Sequence, residues 1–247
     1  MTDTRAAADA VARALADALA LIIPVECAGC GAADVALCGR CRRELVPRPR
    51  DWRTPGGVAV HAGLTLDGVA ARAMRVLKGE GRTGIARVFA PALRAAASAL
   101  DPPRDALFAP IPTSADAYRR RGYRVPDLVA ARAGLPVRRL LRIRRSAADQ
   151  RGLGREARRD NVAGSLRADG VAGARVVIVD DVVTTGATLD EAARAVRAAG
   201  GVVAGAVVVA ATPRRDAATP RRDAADGAAR TGLRQGDEGP VTWRIRA

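Results

Sequence analysis

One stretch constrains the architecture more tightly than any other: Ala174-Arg175-Val176-Val177-Ile178-Val179-Asp180-Asp181-Val182-Val183-Thr184-Thr185-Gly186-Ala187-Thr188-Leu189. The β-branched run Val176 to Val179 predicts a strand buried on both faces, as in a parallel sheet with helices packed above and below. Two adjacent carboxylates follow at its carboxyl end. The chain then turns through Thr184 to Thr188 and enters a helix, Leu189 to Ala199, with Leu189, Ala192, Ala193 and Val196 at helical spacing. Unpaired amides and the dipole at a helix start favour negative charge, small residues let consecutive N–H groups converge, and threonine hydroxyls add donors. A phosphate suits that cradle. Asp180 and Asp181 repel the same phosphate, so they face something else: sugar hydroxyls, or a hard cation such as Mg²⁺. Phosphate beside hydroxyls describes a ribose 5-phosphate. The plainer alternative is a solvated strand end and an ordinary turn. No folding requirement calls for two acids and three threonines in this order.

These residues resemble the signature of type I phosphoribosyltransferases: an apolar run, Asp-Asp, then Thr-Thr-Gly-Ala-Thr. The match is long, and far more specific than a lone glycine motif.

The chain has 247 residues and 49% hydrophobic composition, enough for one main α/β core and a small appendage. Its formal net charge is +15, yet Lys78 is the sole lysine and alanine and arginine dominate throughout. That bias weakens any argument from charge alone to nucleic acid, and a polyphosphate substrate needs positive charge as well. Thr2 to Ile23 predict an amphipathic helix through Val11, Leu15, Leu19 and Ile22, interrupted by Asp3, Asp9, Arg13 and Asp17. Neither a signal peptide nor a membrane span of about 20 apolar residues is expected there, so the reading is a cytoplasmic protein without membrane insertion.

All four cysteines fall in Cys27-Ala28-Gly29-Cys30 and Cys38-Gly39-Arg40-Cys41. Two C-x₂-C turns let four thiolates converge on a structural Zn²⁺, a closed site that folds the knuckle and does not catalyse. The alternative is a pair of disulfides, which a chain in a reducing compartment disfavours. Arg40, Arg42 and Arg43 around the second pair are a nucleic-acid or partner contact, or simply a solvated face. Pro47, Pro49 and Pro55 mark a linker, ending near Gly56-Gly57.

Val58 to Leu66 reads as a strand or hairpin carrying His61, which has no acid-base partner nearby in sequence and receives no role. A helix from Gly68 ends near Lys78, and another spans Thr83 to Leu100. The strand Ala106 to Ile111 ends in Pro112-Thr113-Ser114, either an ordinary turn or a second anion site at the carboxyl edge of the sheet. Between Tyr118 and Arg159 there are 14 arginines against three acids. A segment so basic is a mobile arm or a lid over a polyanion, although Leu128, Val129, Leu135, Val137, Leu140 and Leu141 show that part of it packs. Val202 to Ala210 reads as a further buried strand. Beyond it Thr212-Pro213-Arg214-Arg215-Asp216-Ala217-Ala218 repeats as Thr219-Pro220-Arg221-Arg222-Asp223-Ala224-Ala225. The heptad has no apolar residue larger than alanine, so residues 213–240 are expected to be disordered, with Val241 to Ile245 docking as a last strand.

Leu77-Lys78-Gly79, Pro110-Ile111-Pro112, Arg119 to Tyr123, Asp149 to Leu153, Arg158 with Asn161-Val162, and Asp180 to Thr188 stand in the order found in ComF-type proteins, the competence-protein-F-like phosphoribosyltransferases, and the cysteine knuckle fits that pattern too. The resemblance covers roughly Ile22 to Thr212. It implies an α/β fold of the type I phosphoribosyltransferase kind, a parallel sheet flanked by helices, with a small N-terminal zinc knuckle. The expected organisation is a helix over 1–23, the knuckle and linker over 24–55, the phosphoribosyltransferase-like domain over 56–212 and a largely disordered tail over 213–247. It implies binding of phosphoribosyl pyrophosphate with Mg²⁺. Asp180 and Asp181 would be catalytic. Thr184, Thr185, Gly186, Ala187, Thr188, Pro112, Thr113, Ser114, Lys78, Arg119 and Arg121 would hold substrate, and Cys27, Cys30, Cys38 and Cys41 would hold zinc. No residue is an evident base for an incoming nucleophile, so the acceptor has no name. The rival reading keeps the fold for binding single-stranded DNA and serving the DNA-uptake machinery, with the arginines tracking phosphates. Aromatic residues make up 2% of the chain, and only Tyr118 and Tyr123 stand beside the arginine run as stacking platforms.

Overall fold

The computed structural model describes residues 25–144 and 163–213, all within one compact unit that ends at Pro213. The expected N-terminal helix, the motifs at 149–153 and 158–162, the tandem heptad beyond Pro213 and the closing strand at 241–245 lie outside the described residues.

In chain order the elements are α1 (Gly39–Glu44), β1 (Arg50–Arg53), β2 (Ala59–Thr65), α2 (Gly68–Gly79), a 3₁₀ turn (Thr83–Ile85), α3 (Ala86–Leu100), β3 (Leu107–Pro110), α4 (Ala115–Arg121), α5 (Val125–Ala133), β4 (Leu141–Ile143), β5 (Leu166–Ala168), β6 (Arg175–Val183), α6 (Ala187–Ala198) and β7 (Val202–Ala211). The main sheet runs β1-β2-β7-β6-β3. β2, β7, β6 and β3 are parallel to their neighbours, and β1 closes one edge antiparallel to β2. β4 and β5 form a separate antiparallel pair.

Strand alternation divides the interior into two layers. Val177, Val179, Val207 and Val209 face α2, α3 and α5, together with Leu77, Phe89, Leu93 and Val129. Val176, Ile178, Ala206 and Val208 face α6 and the β4–β5 pair, together with Leu189, Val196, Leu141 and Leu166. β6, with Val176 to Val179 fully buried, is therefore the expected doubly covered strand. It runs further than expected: β7 keeps pairing with it, Asp180 opposite Val208 and Val183 opposite Ala211. The acids thus lie inside the strand rather than past its end.

One close approach sets the spacing of a layer. A Cβ built on Gly63 of β2 would stand 2.1 Å from the carbonyl oxygen of Ala92, so α3 lies directly on the backbone of β2.

Three local expectations change. The proline-bearing stretch before Gly56 carries β1, because the antiparallel edge gives its backbone groups partners. His61 does meet an acid: Asp51, its cross-strand partner, brings Oδ1 to 3.0 Å from Nδ1, a pairing visible only once the register is known. The described part of the basic segment is folded rather than a free arm. It makes α4, α5 and β4, with Val125 and Val129 wholly buried.

Candidate functional site

The acid pair receives a cation from across the sheet. Lys78, in the last turn of α2, places Nζ 2.8 Å from Asp181 Oδ1, and Asp181 is only 7% exposed. α2 delivers it because Val69, Ala70, Ala73, Met74 and Leu77 make one buried stripe that fixes the helix's rotation. A cation also suits the negative end of a helix. Tyr123, just after the left-handed Gly122 that ends α4, donates its phenol O–H to the carbonyl of Leu77, next to Lys78. Asp180 takes the backbone N–H of Asp181 on Oδ1 at 2.8 Å. Burial first, and then the neighbouring Asp181, raise the Asp180 carboxyl to about 8, against the lowering effect of that amide and of Lys78.

Thr184 to Gly186 form the turn between β6 and α6, Ala187 and Thr188 open the helix, and of these five residues all but Gly186 are exposed. Gly186 has φ +88° and ends the turn at the helix cap, so no helix carbonyl takes up the first amides of α6, and the N–H of Ala187 donates to Thr185 Oγ1 at 3.4 Å. The loop is braced from the β1–β2 hairpin. A Cβ on Gly186 would come 2.9 Å from Trp52 Cη2 and 3.0 Å from Thr54 Cγ2. Asp190, in the first turn of α6, accepts the hydroxyl of buried Thr54 and, at 2.9 Å, the N–H of Gly56. Trp52, Thr54 and Asp190 had no signal in the sequence, since an acid in a first helical turn is commonplace and the hairpin lies more than a hundred residues away.

Pro112, Thr113, Ser114 and Arg119 meet in a different cleft, of about 830 Å³, whose lining includes neither the acids nor the threonine loop. Arg124, Arg139, Arg142, Arg144 and Arg167 line it too, and Arg124 lies over the Tyr118 ring at 4.3 Å. Ser114 Oγ accepts the N–H of Ala117 at 3.2 Å, so its hydroxyl caps α4. Arg121 does not line this cleft. Its charge acts on Tyr123, whose phenol is raised by burial and lowered by that guanidinium.

The four cysteine sulfurs all lie within 4.8 Å of one another, with Cys30 Sγ and Cys38 Sγ 3.7 Å apart and no disulfide formed. A tetrahedral Zn²⁺ with bonds of about 2.3 Å separates its sulfurs by about 3.8 Å, so the donor set fits. Burial opposes ionisation of Cys27, but the amides of Cys38, Cys30 and Gly29 bring its thiol down to about 6. Burial pushes Cys41 up. Gly29 leaves no room for a side chain between Cys41 and Val69 of α2, and its carbonyl accepts Arg72 Nε. Cys27, Cys41, Leu37 and Leu45 join the same core as α2.

Residues 119–227 match the model of the phosphoribosyl transferase domain family. UMP synthase from Leishmania donovani is similar at 21% identity over 68% of this chain, with a TM-score of 0.34, and the chain spans only 30% of that protein's length. TT1426 from Thermus thermophilus is similar at 21% identity over 54% of this chain and 86% of its own, with a TM-score of 0.31. No curated protein matches the chain. The protein thus has an α/β fold of the phosphoribosyltransferase kind, a parallel sheet flanked by helices, with an N-terminal four-cysteine cluster compatible with structural zinc. No helix among the described residues is long and apolar enough to cross a membrane.

Proposed function

We propose that this protein binds phosphoribosyl pyrophosphate as a phosphoribosyltransferase of the ComF type, for an acceptor of unassigned chemistry. The observation that carries the reading is an acid pair in β6 and a threonine-glycine loop opening α6, joined on one strand-turn-helix unit at the carboxyl end of a parallel sheet. Thr184, Thr185 and Thr188 and the amides of the turn would hold the 5-phosphate, while the acid pair of β6 would supply the carboxylate side of the site toward the ribose hydroxyls. Carboxylate charge near the ribose stabilises the positive charge that develops at the anomeric carbon as pyrophosphate departs. Thr113 and Arg119 would receive that leaving group from the neighbouring cleft. Two acids alone offer too few oxygens for a dedicated cage, which fits Mg²⁺ arriving with the substrate's phosphates and neutralising their charge.

Calorimetric titration with phosphoribosyl pyrophosphate, with and without Mg²⁺, tests the reading. Saturable, metal-dependent binding lost in the Asp180→Asn/Asp181→Asn variant is the expected result. Equal binding by that variant refutes the reading.

One observation favours the second reading, a single-stranded DNA module serving DNA uptake. Arg124 stacked on exposed Tyr118 in an arginine-lined cleft offers a platform and charge together. Fluorescence anisotropy with labelled single strands across a salt series discriminates the two. A steep salt slope that survives loss of both acids, and falls in Tyr118→Ala, supports the module.

A further inference from the structure

The acids of β6 are adjacent in sequence, and successive residues on a strand leave it toward opposite faces. Their surroundings differ accordingly. Asp181 is buried on the α2 side with the Lys78 ammonium 2.8 Å from Oδ1, whereas Asp180, though set deep enough for burial to act on its carboxyl, keeps part of its surface open, and among the described residues its one hydrogen bond is accepted from the backbone N–H of Asp181. A carboxylate has about four acceptor positions, so Asp180 keeps the larger share of its capacity for hydroxyl donors.

The partner is also unusual in kind. Of 41 basic residues in the chain, Lys78 is the only lysine. A chain that uses arginine at every other basic position places its single compact ammonium against a buried carboxylate, where a planar guanidinium fork needs more room. Lys78 is held from behind as well. Leu77 is fully buried, and its carbonyl accepts the Tyr123 hydroxyl, so the last turn of α2 is tied to the turn between α4 and α5.

Resting on the phosphoribosyl pyrophosphate reading above, we infer that the two acids have separate duties. Asp181 is the fixed counter-ion of Lys78, and Asp180 is the carboxylate that meets the ribose hydroxyls. Lys78 is then a positioning residue, and Tyr123 positions Lys78.

The experiment combines binding with a spectroscopic signature that a sole lysine makes possible. In full-length protein labelled with ¹⁵N-lysine, one side-chain ammonium signal is expected. It moves in Asp181→Asn and in Tyr123→Phe, and stays in place in Asp180→Asn. In calorimetry with phosphoribosyl pyrophosphate and Mg²⁺, Asp180→Asn loses roughly 100-fold in affinity, the scale of hydrogen bonds to a charged group. Lys78→Met and Asp181→Asn each lose roughly tenfold, and the double variant loses no more than either alone. Lys78→Met nearly conserves the stem's volume, so a fold defect in Asp181→Asn, which leaves a half-buried ammonium without its counter-ion, does not decide the outcome. Equal losses for Asp180→Asn and Asp181→Asn overturn the division, as do additive losses for Lys78→Met and Asp181→Asn. A signal unmoved in Asp181→Asn overturns the pairing whatever the binding shows. Wild-type protein that fails to bind the ligand while the signal moves as stated refutes the ribose reading and upholds the Lys78–Asp181 pair.

Discussion

Glu191 of α6 accepts the backbone N–H of Leu166 at 2.8 Å while only 4% of its surface is exposed, and Arg194 completes the clamp by donating to both Glu191 oxygens and to the Leu166 carbonyl. The helix that begins at the threonine loop is thereby fastened to β5. Burial raises the Glu191 carboxyl, but Arg194 and the amides of Leu166 and Gly164 outweigh it and bring it down to about 2.

A carboxyl depressed on folding contributes stability that is complete above its unfolded value of 4.5 and is lost as pH falls toward 2. Glu191→Gln is therefore expected to cost about 1–3 kcal/mol at pH 7. The gap from wild type should narrow through pH 4 and 3. Thermal unfolding followed by circular dichroism at these pH values checks this, and a gap independent of pH refutes it.

Asp180 carries the opposite sign. Its carboxyl is raised on folding by burial and by Asp181, so the contribution is complete below the ordinary value of 3.8 and is lost as pH rises through about 8. Asp180→Asn is expected to raise Tm at pH 8 to 9 by several degrees and to change it little at pH 4. Ligand binding to wild type near pH 7 should release protons, seen as a buffer-dependent heat in calorimetry. Asp180→Asn should abolish that dependence.

Gly186→Ala combines a φ of +88° with a Cβ 2.9 Å from Trp52. The expected cost is about 1–3 kcal/mol, a fall in Tm of roughly 2–4 °C per kcal/mol for a chain of this size. Trp52→Leu in the same chain should recover part of it. No recovery means that the backbone angle, not the indole, is the obstacle.

Metal analysis of the purified protein should find about one zinc per chain. A strong chelator should lower Tm and expose apolar surface to a hydrophobic dye, because Cys27 and Cys41 share a core with Val69 and Leu77 of α2. Cys41→Ser should reproduce the effect. A chelated protein with unchanged melting would show that α2 does not need the knuckle.

The legible parts of this molecule are those whose constraints are local. Val176 to Val179 announced a strand covered on both faces because continuous β-branched burial admits little else, and the paired C-x₂-C turns announced a cluster because their ligands are near in sequence. Ser114 looked like a ligand group and serves at least as a cap, a distinction that only the Ala117 amide reveals. Asp190, Thr54 and Trp52 stayed hidden because their bracing of the loop depends on where the hairpin lands. The meeting of Lys78 with Asp181 spans 103 residues and depends on the rotation of α2, which side-chain spacing predicts only to within a stripe.

The contact between Gly63 and the Ala92 carbonyl bears on how such a protein can drift over evolutionary time. Any descendant that acquires a side chain at that spot must lift a whole helix off the sheet, disturbing the buried layer it shares with the helix that carries Lys78. Purifying selection should therefore hold this inconspicuous glycine as firmly as it holds the acids, and its loss in a relative would be an early sign that the ligand cradle has been abandoned.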